Sequence, residues 1–399
     1  MSSWMATRVW AALLAAVVGA GALVAAPRDP FTLDRDGERW VQQTLARLST
    51  DEKIGQLLVA SFDTGYTSTD SEAFERLAGQ VRSLHVGGFI LFGATEPIPS
   101  VALDPHYGGV ILGQPFTAAS LTNRLQALSN VPLLNSADFE AGVGFRLGGA
   151  TVFPRQMAFG ATRQPQYVRE AARMMAREAR AVGVQVAFAP LADVNNNPRN
   201  PVINTRSYGE DPKTVGALVS SFVEGAREGG VLATLKHFPG HGDTDTDTHI
   251  GLATIPHDRD RLDRVEFVPF RLGFDAGAAA VMTSHIAMPA LDATPGLPAT
   301  FSEPITTGLL RREFGFRGLV FTDSMGMDGV SRLAPPGEAA VRTILAGSDQ
   351  VLHSPDPASA FASLQAAVAD GRISMARLEE SVTRVLRAKA SLGLHRQKT

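Results

Sequence analysis

The sequence predicts a single (β/α)8 barrel. Short apolar runs rich in β-branched residues recur at 56–62, 86–92, 132–138, 184–190, 231–236, 279–284, 319–323 and 349–353, with longer helix-compatible stretches between them. That alternation is the pattern of βα units in a parallel sheet, and eight units over about 350 residues fit a closed barrel with insertions. Ionisable residues also collect just past these runs: Asp138 and Glu140 after the third, Asp193 after the fourth, Lys236 and His237 after the fifth, His285 after the sixth and Asp323 after the seventh. In a parallel barrel the carboxyl ends of the strands share one face, so these groups are expected to converge. An open doubly wound sheet shares the alternation, but no Gly-rich phosphate fingerprint follows an early run.

At the amino terminus, Arg8 precedes an unbroken weakly polar to apolar run, residues 9–26, that ends in Leu23-Val24-Ala25-Ala26 before Pro27-Arg28-Asp29. That is the form of an export signal, and its length also reaches the lower edge for a membrane span. Residues 1–26 are therefore expected to be a signal peptide or an amino-terminal membrane anchor, and 27–399 the barrel. Either alternative places the barrel outside the cytoplasm, in the periplasm or the extracellular space.

No low-complexity linker or compositional break follows, so one domain is expected. Residues 93–117 are rich in Pro and Gly and too long for an ordinary βα connection, which marks a rim insertion or a lid. Helix-compatible patterns cover 165–182, 211–228 and 302–314, a turn-rich loop follows the sixth run at 289–298, and a last helix is expected over 376–394.

With 44% hydrophobic residues, 19% charged and a formal net charge of -3, the 399-residue chain can bury a large core and favours neither sign. No Lys/Arg cluster marks a nucleic-acid groove. The absence of cysteine removes disulfides, thiolate metal sites, cysteine nucleophiles and a lipidated cysteine together.

The densest chemistry lies in residues 236–249, with three histidines, three aspartates and a lysine behind the fifth apolar run. A calcium loop needs Gly at its sixth position and Glu at its twelfth, where Asp243-Thr244-Asp245-Thr246-Asp247 leads instead to Thr248 and Thr254. A helical zinc pair is excluded by Pro239, Gly240 and Gly242. Acid/base chemistry fits better. In an extended segment Asp247 and His249 point the same way, and a carboxylate beside an imidazole orients the ring and stabilises its charged form. The bland alternative is a loop histidine capped by its neighbour. Asp323, the first ionisable group past the buried Leu319-Val320-Phe321, shifts the balance. A strand-end carboxylate with a proton carrier on another loop is the equipment of a retaining glycosidase.

These residues carry a resemblance. Lys236-His237-Phe238-Pro239-Gly240-His241-Gly242-Asp243-Thr244 with Asp247-Thr248-His249 resembles the signature of glycoside hydrolase family 3, in its bacterial β-N-acetylglucosaminidase (β-hexosaminidase) branch. Leu48-Ser49-Thr50-Asp51-Glu52-Lys53-Ile54-Gly55-Gln56, Val86-Gly87-Gly88-Phe89-Ile90-Leu91-Phe92, Ala189-Pro190-Leu191-Ala192-Asp193, Arg206-Ser207-Tyr208-Gly209 and residues 318–327 are similar to it as well. The resemblance implies that Asp323 is the nucleophile and that His249 with Asp247 forms the acid/base pair. It implies that Asp138, Arg146, Arg206, Lys236 and His237 hold the sugar; for Arg146 and Arg206 the alternative is a structural ion pair at the rim.

Many relatives add a second α/β sandwich domain that supplies a carboxylic acid/base. With the chain ending at Thr399, the expectation is a single barrel whose own loops supply the proton carrier. The expected activity is retaining exo-β-N-acetylglucosaminidase, on peptidoglycan fragments or chitooligosaccharides, with no cofactor, no metal, no nucleic-acid partner and a monomeric state. The rival expectations are a phosphorylase of the same glycosides, a β-glucosidase and a non-catalytic glycan-binding barrel. Three positions depart from the family pattern: Ala141 in Asp138-Phe139-Glu140-Ala141-Gly142, Thr248 where Ser is usual, and Ser324 where an acidic residue is usual.

Overall fold

Each of the eight predicted runs contributes a strand to one parallel sheet in the computed structural model, which describes residues 29–65, 67–93, 114–249 and 251–396. The strands are β1 (Leu58–Asp63), β2 (Gly88–Phe92), β3 (Ser136–Ala137), β4 (Val186–Ala187), β5 (Leu232–Phe238), β7 (Ala280–Thr283), β9 (Leu319–Thr322) and β10 (Val351–Leu352). Their order is β10-β1-β2-β3-β4-β5-β7-β9. Register pairs Leu58 with Val351 at one edge, and a single parallel bridge between Phe321 and Gln350 joins the other edge to β10. The sheet is thereby a nearly closed eight-stranded barrel.

Alternation along the strands divides the core in two. Val59, Ile90, Met282, Phe321 and Leu352 point inward, with Phe188 and Phe321 meeting edge to face at 5.2 Å between ring centroids. Their neighbours Leu58, Ala60, Phe89, Leu91, Val281 and Val320 point outward into the larger layer under the helices. This is why strands buried on both faces read as continuous apolar runs.

The helix Pro165–Ala181 agrees with the 165–182 pattern, and Pro212–Gly229 begins where the Asp211 side chain accepts from Thr214 N. The final helix is Met375–Ser391, capped by Ser374. Two details differ from expectation. The helix expected over 302–314 is a π-type helix, Pro304–Glu313, and a 3-10 turn, Ala299–Phe301, precedes it. A two-stranded ladder of β6 (Ala253–Thr254) and β8 (Ile286–Ala287) sits beside the barrel, each strand too short to leave a periodic signal. Residues 1–26, and most of the expected 93–117 insertion, lie outside the described residues.

Candidate active site

The carboxyl ends of the strands surround one cavity of about 360 Å³. Asp138, Arg146, Arg206, Lys236, His237, His249 and Asp323 all line it, and Asp247 stands behind His249. Every sequence candidate is thus brought to one place.

One wall is a charge cluster. Lys236, 2% exposed at the end of β5, places Nζ 2.9 Å from Asp138 Oδ1 and 2.7 Å from Glu140 Oε1. Arg146 Nη2 donates to Asp138 Oδ2 at 2.6 Å. Arg206 grips Glu140 with both Nε, at 2.9 Å, and Nη2, at 2.7 Å. Burial pushes the Glu140 carboxyl up, but Lys236 and Arg206 outweigh it and hold the group far below its ordinary range. Burial likewise opposes the charge on Lys236, and the two carboxylates more than restore it. The rim ion pairs considered for Arg146 and Arg206 are therefore real, and both guanidinium groups still face the cavity. Arg146 is also held between the Phe92 and Phe145 rings, 5.5 and 5.1 Å from their centroids. Its Nε is buried without a hydrogen-bond partner among the described residues.

Across the barrel, four strands round from Asp138, stands Asp323. Its Oδ1 accepts from Ser324 N at 2.7 Å, and Oδ2 has no hydrogen-bond partner among the described residues. Burial pushes this carboxyl up; the fields of His237 and His285, the Ser324 N–H and the field of Lys236 overcome it and hold the group below the usual carboxylate range. The turn after Asp323 is braced. His285 Nε2 donates to Ser324 O at 2.9 Å, and Ser324 Oγ lies 2.9 Å from His353 Nδ1.

Two histidines each carry a carboxylate on Nδ1. The His237 ring is 2.7 Å from Asp193 Oδ2, and its backbone N–H reaches the same carboxylate. His249 Nδ1 is 2.7 Å from Asp247 Oδ1, which also accepts from His249 N at 2.8 Å. When neutral, each imidazole therefore carries its proton on Nδ1 and leaves Nε2 as the reactive nitrogen. His237 is buried, whereas the His249 side chain is 60% exposed. Among the described residues no three His, Asp or Glu side chains are grouped to hold a metal ion.

Further residues belong with the site beyond those to which the sequence assigns a role there: Glu140, Asp193 and His285, expected only to converge at the strand ends, and His353, which is not among those groups. Glu140 is two residues past Asp138, so it shares its face, with Phe139 turned into the core. His353 follows the eighth run as Asp323 follows the seventh, and the strand-end rule that finds one finds the other. Asp193 acts through its contact with His237, and nothing in one sequence pairs those two side chains.

A parallel barrel whose mouth sets a free carboxylate and a carboxylate-backed imidazole against a cluster suited to polyols has the equipment that glycoside chemistry requires. The glycosyl hydrolase family 3 N terminal domain matches residues 49–388, and the chain belongs to that family. A "Beta-N-acetylglucosaminidase/beta-glucosidase" of Cellulomonas fimi is 38% identical over 375 residues, covering 92% of this chain and 62% of its own length. A solved glycoside hydrolase family 3 beta-N-acetylglucosaminidase from Paenibacillus sp. str. FPU-7 superposes with a TM-score of 0.78 at 40% identity, over 87% of this chain and 63% of that one. The solved beta-glucoside phosphorylase BglX bound to 2FGlc superposes at 0.82 with 28% identity, over 94% and 64%. The chain thus spans less than two thirds of the length of each of these three.

Proposed function

We propose that the protein is a retaining exo-β-N-acetylglucosaminidase that removes terminal N-acetylglucosamine from glycosides such as peptidoglycan fragments or chitooligosaccharides. The observation that carries this is the free Oδ2 of Asp323 in the same cavity as the exposed His249 ring, with the Asp138, Lys236 and Glu140 cluster opposite. A terminal sugar would span the barrel with its far hydroxyls on that cluster and C1 at Asp323.

In the first step Asp323 Oδ2 bonds to C1 as the C1–O bond to the aglycone breaks, and the His249 imidazolium gives its Nε2 proton to the leaving oxygen. Asp247 orients the ring and stabilises its charged form. In the second step neutral His249 takes a proton from water as that water attacks C1, and the ester bond to Asp323 breaks. His237, backed by Asp193, and Arg206, backed by Glu140, hold hydroxyls throughout.

The test is turnover of an aryl N-acetylglucosaminide. Asp323→Asn is expected to abolish it, and His249→Ala to impair glycosides with poor leaving groups far more than activated ones. Unchanged activity in the Asp323 variant would sink the assignment, and binding without any turnover would favour a non-catalytic barrel. A second reading, phosphorolysis, is supported by the likeness to the solved phosphorylase and by an acid/base that is not anionic, which does not repel a phosphate dianion. Sugar 1-phosphate formed only in the presence of phosphate would establish it, and paired gluco- and N-acetylglucosaminide assays separate a β-glucosidase. Export with residues 1–26 as signal or anchor is part of the same proposal, checked by the amino-terminal residue of the mature protein.

A further inference from the structure

The segment that carries Asp247 and His249 is anchored from behind by buried polar side chains. Asn200 is 2% exposed, on the loop after β4 that also carries Arg206. Its Oδ1 accepts from Val202 N at 2.9 Å and Ile203 N at 2.8 Å; its Nδ2 donates to His241 O at 2.9 Å and Gly242 O at 3.0 Å. Those partners fix the amide orientation, because the reverse would set oxygen against two carbonyls. The two loops are pressed together here: a Cβ on Gly242 would stand 1.7 Å from Val194 O.

His241 carries the anchoring forward. Its backbone N–H donates to Asp193 Oδ1 at 2.7 Å. Its Nδ1 is 3.1 Å from Thr244 Oγ1 and its Nε2 3.0 Å from Thr248 Oγ1, so the ring fills the loop and ties its base to its tip. Burial pushes this histidine down to about 4, which keeps the ring neutral at working pH, one nitrogen donating and the other accepting. Thr248 leads directly into His249, whose only hydrogen-bond partner among the described residues is Asp247.

We infer that Asn200, His241 and Thr248 form a latch that positions the His249/Asp247 pair over the cavity. They act through His249, although His241 and Thr248 also reach the cavity wall, and the inference rests on His249 being the acid/base. A proton carrier must stay within hydrogen-bond reach of the leaving oxygen and then of water, and an error of about 1 Å costs on the order of 10²-fold. The two side chains grip only each other among the described residues, so their placement comes from the segment's backbone, held by the latch together with Gly329 N–H on Thr248 O at 3.3 Å and Gly251 N–H on Asp247 O at 3.2 Å.

Thr248→Val removes the hydroxyl at nearly constant shape, and Thr248→Ser keeps it. The valine variant is expected to lose roughly 10²-fold in kcat on a disaccharide. On an aryl glycoside with a good leaving group the first step should be nearly unaffected. Azide, which bonds to C1 as the Asp323 ester breaks and needs no base, should then raise its turnover and give the glycosyl azide. Thr248→Ser should restore the wild-type ratio of the two rates, and Asn200→Asp should reproduce the valine signature. Equal losses on both substrates without an azide response, or no loss at all, would overturn the latch. His249→Ala run alongside separates the failures: if it lacks the leaving-group signature, the acid/base assignment has failed rather than the latch.

Discussion

Lys236 and Glu140 meet at 2.7 Å, Nζ to Oε1, with both side chains almost wholly out of water. Neither is neutralised elsewhere without loss, because Lys236 also serves Asp138 and Glu140 also holds Arg206. The cluster thus holds together as a unit, two carboxylates among three cations, with one positive charge in excess. Its cost in desolvation is met by mutual attraction in a low-dielectric wall, which makes removal of any one member more damaging than the net worth of the set.

Glu140→Gln keeps the shape and deletes one charge, leaving Lys236, Arg146 and Arg206 with Asp138 as the one carboxylate of the cluster. The expected loss is about 3 kcal/mol of unfolding free energy, measured by denaturant titration at neutral pH. The sign with pH follows from the depressed carboxyl. Its contribution is fully present above the unfolded-state value of about 4.3 and is lost as pH falls toward the folded-state value. The gap between wild type and variant should therefore hold steady above about pH 5 and narrow in stronger acid. A gap that widens in acid would mean that Glu140 is protonated in the fold.

Much of this site was legible because barrel chemistry follows strand ends. Asp323 is readable as the first ionisable residue after Leu319-Val320-Phe321. The Asp247/His249 pair is expected from alternation in an extended segment; the structure does pair the side chains at 2.7 Å, but in a turn, where Asp247 Oδ1 also accepts from His249 N at 2.8 Å. What stays hidden is whatever depends on contacts between distant residues. Asp193 and His237 are 44 positions apart and meet only because β4 and β5 are neighbours, while His285 reaches Ser324 across 39 positions. The 3-10 and π-type segments at 299–313 were illegible for another reason: their apolar spacing is nearly that of an α-helix, and packing decides among the three.

The ionisation of Asp323, the proposed nucleophile, has a named cause that can be removed. Burial alone favours the neutral form of Asp323, and His237 is the largest influence opposing it. With an activated aryl substrate, the acid limb of kcat/KM should lie below the ordinary aspartate value of about 3.9. In His237→Asn burial persists while the charge is gone, so the limb should move to higher pH, independently of any fall in the plateau from a lost sugar contact. An unmoved limb would shift the credit to His285 and the Ser324 N–H, which the substitution leaves in place.

At the opposite end of the barrel, Lys389 lies fully buried on the last helix among Val385, Ala388 and Leu394, with Gln56 Oε1 accepting from Nζ at 2.5 Å. No carboxylate pairs with it among the described residues, and burial pushes the amine down to about 7. The unfolded chain keeps that proton to about pH 10.4, so between roughly 7 and 10 the unfolded state binds more protons and stability should rise with pH. Below about 7 both states are protonated and the full cost of burying the charge is present. Lys389→Met fills the same space without the charge. At roughly 1.4 kcal/mol per unit of displacement the gain approaches 4–5 kcal/mol, reduced by about 1–3 for the Gln56 oxygen left without its donor. The variant should therefore be roughly 1–4 kcal/mol more stable at pH 7 and lose that advantage by about pH 10, read from denaturant midpoints across that range. A less stable variant with a wild-type pH dependence would instead show that the amine earns its place as a hydrogen-bonded strut for the start of β1.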